Sequence, residues 1–215
     1  MNDSGLDLAA LLCSRLCHDM LSPVGALTNG LELLADENDA DMRSRIVELL
    51  EQSAKTSADK LKFFRLAFGA AGGFGEMVAL SEARALVEAL AGGRTEVRWA
   101  LGGDSLPKAA VKVLLNLAHI GIEALVRGGT LDIGAETRSG AAGQEAEIVV
   151  RAAGPRIAFD PLVGKALDGT LDAADLSSRT APAWMIRQIA TGAGGEMHVI
   201  LTGDALVMGS VIPLD

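Results

Sequence analysis

Over residues 6–35 the apolar side chains recur every three or four positions, at Leu12, Leu16, Met20, Val24, Leu27, Leu31 and Leu34, which places them along one side of an α-helix. A short acidic and polar stretch, 36–41, follows and has the length that joins antiparallel helices. A second helical pattern covers 40–70, with Ile46, Leu49, Leu50, Leu61, Phe64 and Phe68 in its stripe. It runs into Gly69, Gly72, Gly73 and Gly75, a cluster that stops a helix and predicts a linker. One hairpin alone leaves its apolar stripe uncovered, so a homodimer is expected, two hairpins pairing as a four-helix bundle.

Beyond the glycines the period changes. Short strand-like runs at 77–80, 96–101, 130–136, 145–151, 196–201 and 205–212 alternate with helical patterns at 81–90, 107–126 and 183–190,. Ser81 is placed to cap the first of these helices, and Pro107 sits near the start of the second,. The fold class expected is α+β: an N-terminal helical hairpin over 1–73 and a C-terminal α/β sandwich over 76–215.

Composition narrows the function. With 49% hydrophobic and 22% charged residues the chain can bury a core,. A formal charge of -9 argues against nucleic acid, whose phosphates are gripped by clustered cations. No apolar run approaches the roughly 18–20 residues a membrane span needs, and the first dozen residues lack the basic-then-apolar order of a signal peptide. Cys13 and Cys17 lie four apart, on one side of a helix and poorly placed for a bridge; they are expected to pack. Two unpaired thiols without an export signal predict a cytoplasmic protein.

The chemistry concentrates on His18. At about 100° per residue, Leu16 and Met20 each lie about 200° from it, so His18 faces away from the bundle core. Leu11, Ser14, Arg15, Leu21, Ser22, Gly25 and Asn29 fall within about 60° of it, a small, polar and mildly apolar strip that suits a docking partner. An imidazole near its ordinary pKa is partly unprotonated at cellular pH and nucleophilic. Asp19 is next in sequence and is expected to hydrogen-bond the ring or manage its proton. Cys13, Cys17 and His18 lack the spacing of zinc or haem sites, so no metal is expected. His119 is expected to be a helix-surface or satisfied core histidine, and His198 a structural one on a strand. Lys62 and Arg65 are further candidates for touching an acidic partner, against the commoner case of a solvated face.

Residues 17–34, CHDMLSPVGALTNGLELL, resemble the phosphoacceptor segment of two-component sensor histidine kinases: His18, Asp19, three more residues, then Pro23, with Ser22 at a position that is often small and polar. The second half resembles the Bergerat-type ATP-binding domain of the same kinases. It departs from that domain where the chemistry would be done. In VLLNLAHIGIEAL (113–125) Asn116 is kept, but the position of the magnesium-binding Asn is Ile120, which has no oxygen for a hard cation. In VRAAGPRI (150–157) the adenine-reading Asp is replaced by Ala152; Gly154 remains and the second Gly is Arg156. In SSRTAPAWMIRQIATGAGGEMHV (177–199) the lid glycines fall at Ser178, Thr180 and Pro182, removing close backbone approach to phosphate.

The whole chain is thus similar to the alphaproteobacterial histidine phosphotransferases. That resemblance implies a relay in which the aspartyl phosphate of a hybrid kinase's receiver domain passes to His18 and then to the aspartate of a response regulator. It implies no ATP and no cofactor of the chain's own, the magnesium being the receiver's. The second domain would serve as a flank for the docked receiver, through exposed residues near 82–94 or 151–156. Two other readings stay open: an ATP-consuming sensor histidine kinase, and a non-catalytic dimeric scaffold for response regulators in which His18 is incidental.

Overall fold

The computed structural model describes residues 3–69, 77–140 and 143–214. Helices α1 (Asp3–Asp36) and α2 (Ala40–Ala67) form the long antiparallel hairpin. Asp39 caps α2, its carboxylate accepting from the Met42 N–H at 2.9 Å. Arg43 donates to the carbonyls of Leu34 and Glu37, so the turn is closed by polar bonds. Of the glycines expected to form a linker, Gly72, Gly73 and Gly75 lie outside the described residues.

The second half contains β1 (Met77–Ala79), α3 (Leu80–Ala91), β2 (Thr95–Leu101), β3 (Ser105–Pro107), α4 (Lys108–Ala124), β4 (Gly129–Gly140) and β5 (Gly143–Ala153). It continues with α5 (Pro161–Asp168), a 3₁₀ turn at Ala173–Asp175, α6 (Ala181–Gly192), β6 (Glu196–Leu201) and β7 (Ala205–Pro213). The main sheet has the order β2-β4-β5-β7-β6, with β2 parallel to β4 and the remaining pairs antiparallel. Its central strands alternate over their inner stretches. Leu131, Ile133, Ile148, Val150, Leu206 and Met208 point into the core, while Asp132, Glu147 and Arg151 stay on the open face,. Helices α4 and α6 cover the buried face. Helix α4 is buried nearly all round, as expected of a helix enclosed by a sheet on one side and by α2, α3 and α6 on the others,.

Three differences from the sequence-based expectation have physical causes. Helix α3 begins at Leu80, and its N-cap, Ala79, makes no side-chain bond; Ser81 is inside the first turn and is not the cap. The Asp104 carbonyl takes the Leu80 N–H at 2.8 Å, so the short β1–β3 pairing satisfies a donor that a serine would otherwise serve. Strands β4 and β5 run several residues past the apolar alternation. There the ribbon is held by Arg138, which pairs with Glu145 at 2.7 Å and Glu147 at 2.8 Å. Helix α5 was not anticipated, although its ends are well marked: Asp160 caps the Leu162 N–H, Pro161 is in the first turn, and Gly169 closes it at φ 81°,.

Candidate functional site

Pro23 lies inside α1 and, having no N–H, cannot donate to the carbonyl four residues earlier, that of Asp19. The vacant acceptor is filled from the other helix: Lys60 Nζ on α2 donates to the Asp19 carbonyl at 2.8 Å. The proline therefore creates a cross-helix tie one residue from the histidine. Sequence reasoning singled out Lys62 and Arg65 and missed Lys60; the carbonyl orphaned by Pro23 is the signal that finds it. Lys60→Met should cost about 1–2 kcal/mol, the price of an unpaired, partly buried carbonyl, read as a lower denaturant midpoint at unchanged m.

The His18 side chain is 81% exposed, on the rim of a cavity of about 480 Å³ between α1 and the second domain. Its Nδ1 lies 3.1 Å from Asp19 Oδ1. The other Asp19 oxygen, Oδ2, accepts from Arg15 Nε at 2.7 Å. Burial by itself would raise the Asp19 carboxyl, but the hydrogen bond from Arg15, then that from His18 and the charges of Arg15 and His119, hold it below the usual carboxylate value. An ionised carboxylate only accepts, so the hydrogen between the pair belongs to His18 Nδ1. In the neutral ring that leaves the Nε2 lone pair facing solvent.

Arg15 does not share the exposure expected of the strip around His18. It is 9% exposed, drawn under the second domain by Glu123 of α4, with which its Nη2 forms an ion pair. Residues Ser14, Leu21, Ser22 and Asn29 are exposed around His18, and Leu11 and Gly25 are half-buried. Cys13 and Cys17 are also exposed, against the expectation that they pack: their side of α1 has no covering element within the described residues. Lys62 is exposed beside Asp59 and Arg65 is exposed near the end of α2. His198 projects from the open sheet face next to Glu196.

His119 proves to have partners. Its ring packs against Phe63 and Phe64 with centroids 5.3 and 6.2 Å away, and its side chain is 12% exposed. Asp19, His119 and Glu123 offer donor atoms within 4.8 Å of one another, and the guanidinium of Arg15 pairs with both carboxylates. Burial lowers the His119 pKa from the ordinary 6.5. The unfolded chain therefore takes up a proton before the folded one does. Stability should be full above about pH 6.5 and fall as pH drops below it, by at most about 1.4 kcal/mol per unit. His119→Leu should flatten that slope in unfolding midpoints measured between pH 7.5 and 5.

Three positions in and around the cavity offer no polar side chain to a nucleotide or its magnesium. Ile120 lines it where an oxygen ligand would be needed. Ala152 is buried in the sheet core and carries no polar group. The lid segment is folded on itself, Thr180 Oγ1 accepting from the Ser177 N–H at 2.9 Å, and Pro182 is buried in the first turn of α6. Gly154, the surviving motif glycine, has a packing role: a Cβ there would meet the Gly128 carbonyl oxygen at 2.6 Å,. Asn116 is likewise structural, donating to Lys112 O at 2.8 Å and to Ala67 O of α2 at 3.4 Å.

Residues 80–205, more than half of the chain, match the profile of the histidine phosphotransferase C-terminal domain. Protein phosphotransferase ChpT of Brucella abortus (strain 2308) is 45% identical over 131 residues, 60% of this chain. The match spans 61% of that relative's length. A solved bacterial phosphotransferase superposes with a TM-score of 0.79 at 30% identity, over 98% of each chain. Acinetobacter baumannii histidine kinase AdeS is more distant, with a TM-score of 0.48 at 15% identity over 92% of this chain and 98% of that one. A mixed sheet backed by α4 and α6, a hairpin bearing an exposed histidine, and a profile match across most of the second domain agree: the chain belongs to the histidine phosphotransferase family.

Proposed function

We propose that this protein is a histidine phosphotransfer protein of a two-component phosphorelay, with His18 as the phosphoacceptor. The observation that carries this is an imidazole 81% exposed whose Nδ1 is committed to an ionised carboxylate. The Nε2 lone pair attacks the phosphorus of a receiver's aspartyl phosphate. The N–P bond forms as the acyl O–P bond breaks, and the receiver's carboxylate leaves. The phosphorylated ring is then cationic, and Asp19 at Nδ1 stabilises it. Transfer to the aspartate of a second receiver reverses these steps. Such catalysis is mainly positioning and charge stabilisation, and the magnesium it uses belongs to the receiver.

The exposed rim of Ser14, Leu21, Ser22 and Asn29, with Leu11 and Gly25, is the docking strip for receivers; Arg15 serves beneath it. The chain acts as a homodimer. Val24 and Leu31 on α1 and Met42 and Leu49 on α2 are 44–59% exposed, an apolar surface that a second hairpin would cover as a four-helix bundle. The second domain does not act as an autokinase, because Ile120, Ala152 and Pro182 supply none of the contacts that ATP and magnesium need. Among the described residues no helix is long and apolar enough to cross a membrane.

The test is to offer two donors to the same preparation. A phosphorylated receiver domain with magnesium should label the chain within minutes, and ATP with magnesium should not. Labelling by ATP alone would instead establish an active kinase, and labelling by neither would favour the scaffold.

A further inference from the structure

The contacts at His18 do not stop at the hairpin. Asp19 Oδ1 meets His18 Nδ1 at 3.1 Å, Asp19 Oδ2 accepts from Arg15 Nε at 2.7 Å, and Arg15 Nη2 pairs with Glu123 of α4. Glu123 is 108 positions from Arg15 in sequence, so the chain of contacts starts in the kinase-like domain and ends on the imidazole. We infer that Glu123 is a positioning residue for phosphoryl acceptance, setting the His18 tautomer through Arg15 and Asp19. The inference rests on His18 being the acceptor.

The physical basis is the geometry of the guanidinium. Its planar fork presents donors in fixed directions and binds two carboxylates at once where a lysine could not. With Glu123 holding Nη2, the Nε edge is aimed at Asp19 and engages one oxygen, leaving the other turned to His18 Nδ1. An exposed imidazole has no other tertiary contact to choose its tautomer. With Nδ1–H bound to Asp19, Nε2 is free for in-line attack; the opposite tautomer presents an N–H and no lone pair at that position.

Arg15 also fixes the carboxylate itself, holding Oδ2 at 2.7 Å so that Oδ1 keeps its aim at the ring. Without Glu123, Arg15 loses its anchor and its aim. The docking of the second domain stays in place through α2–α4 packing, in which Phe63 and Phe64 enclose His119. A domain that offers a poor nucleotide site thus still acts on the histidine, by holding the far end of this relay.

The experiment uses the full chain with ¹⁵N-labelled histidine at pH 8, reading the His18 tautomer from proton–nitrogen correlations and the rate of acceptance from a phosphorylated receiver. Wild type should be predominantly Nδ1–H. Glu123→Ala should shift His18 toward the Nε2–H tautomer and slow acceptance about tenfold, the usual scale for losing a group that orients a reactive ligand. Arg15→Lys keeps the charge and loses the fork, and should show the same shift even if Glu123→Ala folds poorly. An unmoved tautomer in both variants overturns the inference, as does a moved tautomer with unaltered transfer. A wild-type chain that accepts no phosphoryl group would refute the phosphoacceptor assignment itself, and that result appears before any variant is compared.

Discussion

His18→Ala should abolish phosphoryl acceptance while leaving the fold intact. The imidazole is 81% exposed and, among the described residues, its polar contact is the local bond to Asp19, so its removal should change stability by no more than about 0.5 kcal/mol. The loss of function should be complete, because no second nucleophile shares its position: Cys13 and Cys17 are exposed on the same helix, and a thiol would give a chemically different phosphoester. The check is paired, with acceptance from a phosphorylated receiver on one side and the thermal midpoint on the other. A variant that still relays phosphate would assign the chemistry elsewhere; a variant that unfolds would make His18 structural.

The second large effect is expected from Phe63→Ala. Phe63 is 1% exposed and packs edge-on against Phe64 and His119, with centroids 5.7 and 5.3 Å away. It fills the junction between α2 and α4, where the hairpin meets the second domain. Truncation leaves a cavity that closely packed helices cannot collapse into, a loss of about 3–5 kcal/mol. Because the same junction holds Glu123 opposite Arg15, acceptance at His18 should also slow, while His18 remains present and exposed. A loss below about 1 kcal/mol would mean that the two halves do not depend on this contact.

The parts of this protein legible in the sequence are those written in short-range patterns. The hairpin follows from a stripe of apolar residues at helical spacing, and the sheet from alternation such as Leu131, Ile133 and Ala135 facing inward. The outward direction of His18 follows from the angle to Leu16 and Met20. Helix α5 was missed because eight residues carry too little periodicity, even though Asp160, Pro161 and Gly169 marked its ends. The ends of β4 and β5 were missed because Arg138, Glu145 and Glu147 hold that ribbon by charge, with no apolar alternation to read.

At the site, the division falls between neighbours in sequence and neighbours in space. Asp19 could be named because it adjoins His18. Arg15 was placed at the right angle on the helix but expected at the surface, since nothing in residues 6–35 announces that Glu123 will come to lie over it. Lys60 was overlooked although Pro23 marked the vacant carbonyl it answers, and His119, expected on the helix surface or satisfied in the core, acquires its ring contacts only when α4 docks on α2. The departures from the kinase pattern at Ile120, Ala152 and Pro182 were legible one by one, and the fold shows what they became, a cavity wall, a core residue and a helix start.

The central claim is that His18 carries the phosphoryl group on nitrogen. The most direct measurement is to react the full chain with a phosphorylated receiver domain, divide the labelled product between acid and base, and map the label by peptide mass spectrometry. A phosphoramidate, lost in acid, stable in base and located on residue 18, is the result expected. Label that is stable in acid, or that maps to any other residue, would contradict it.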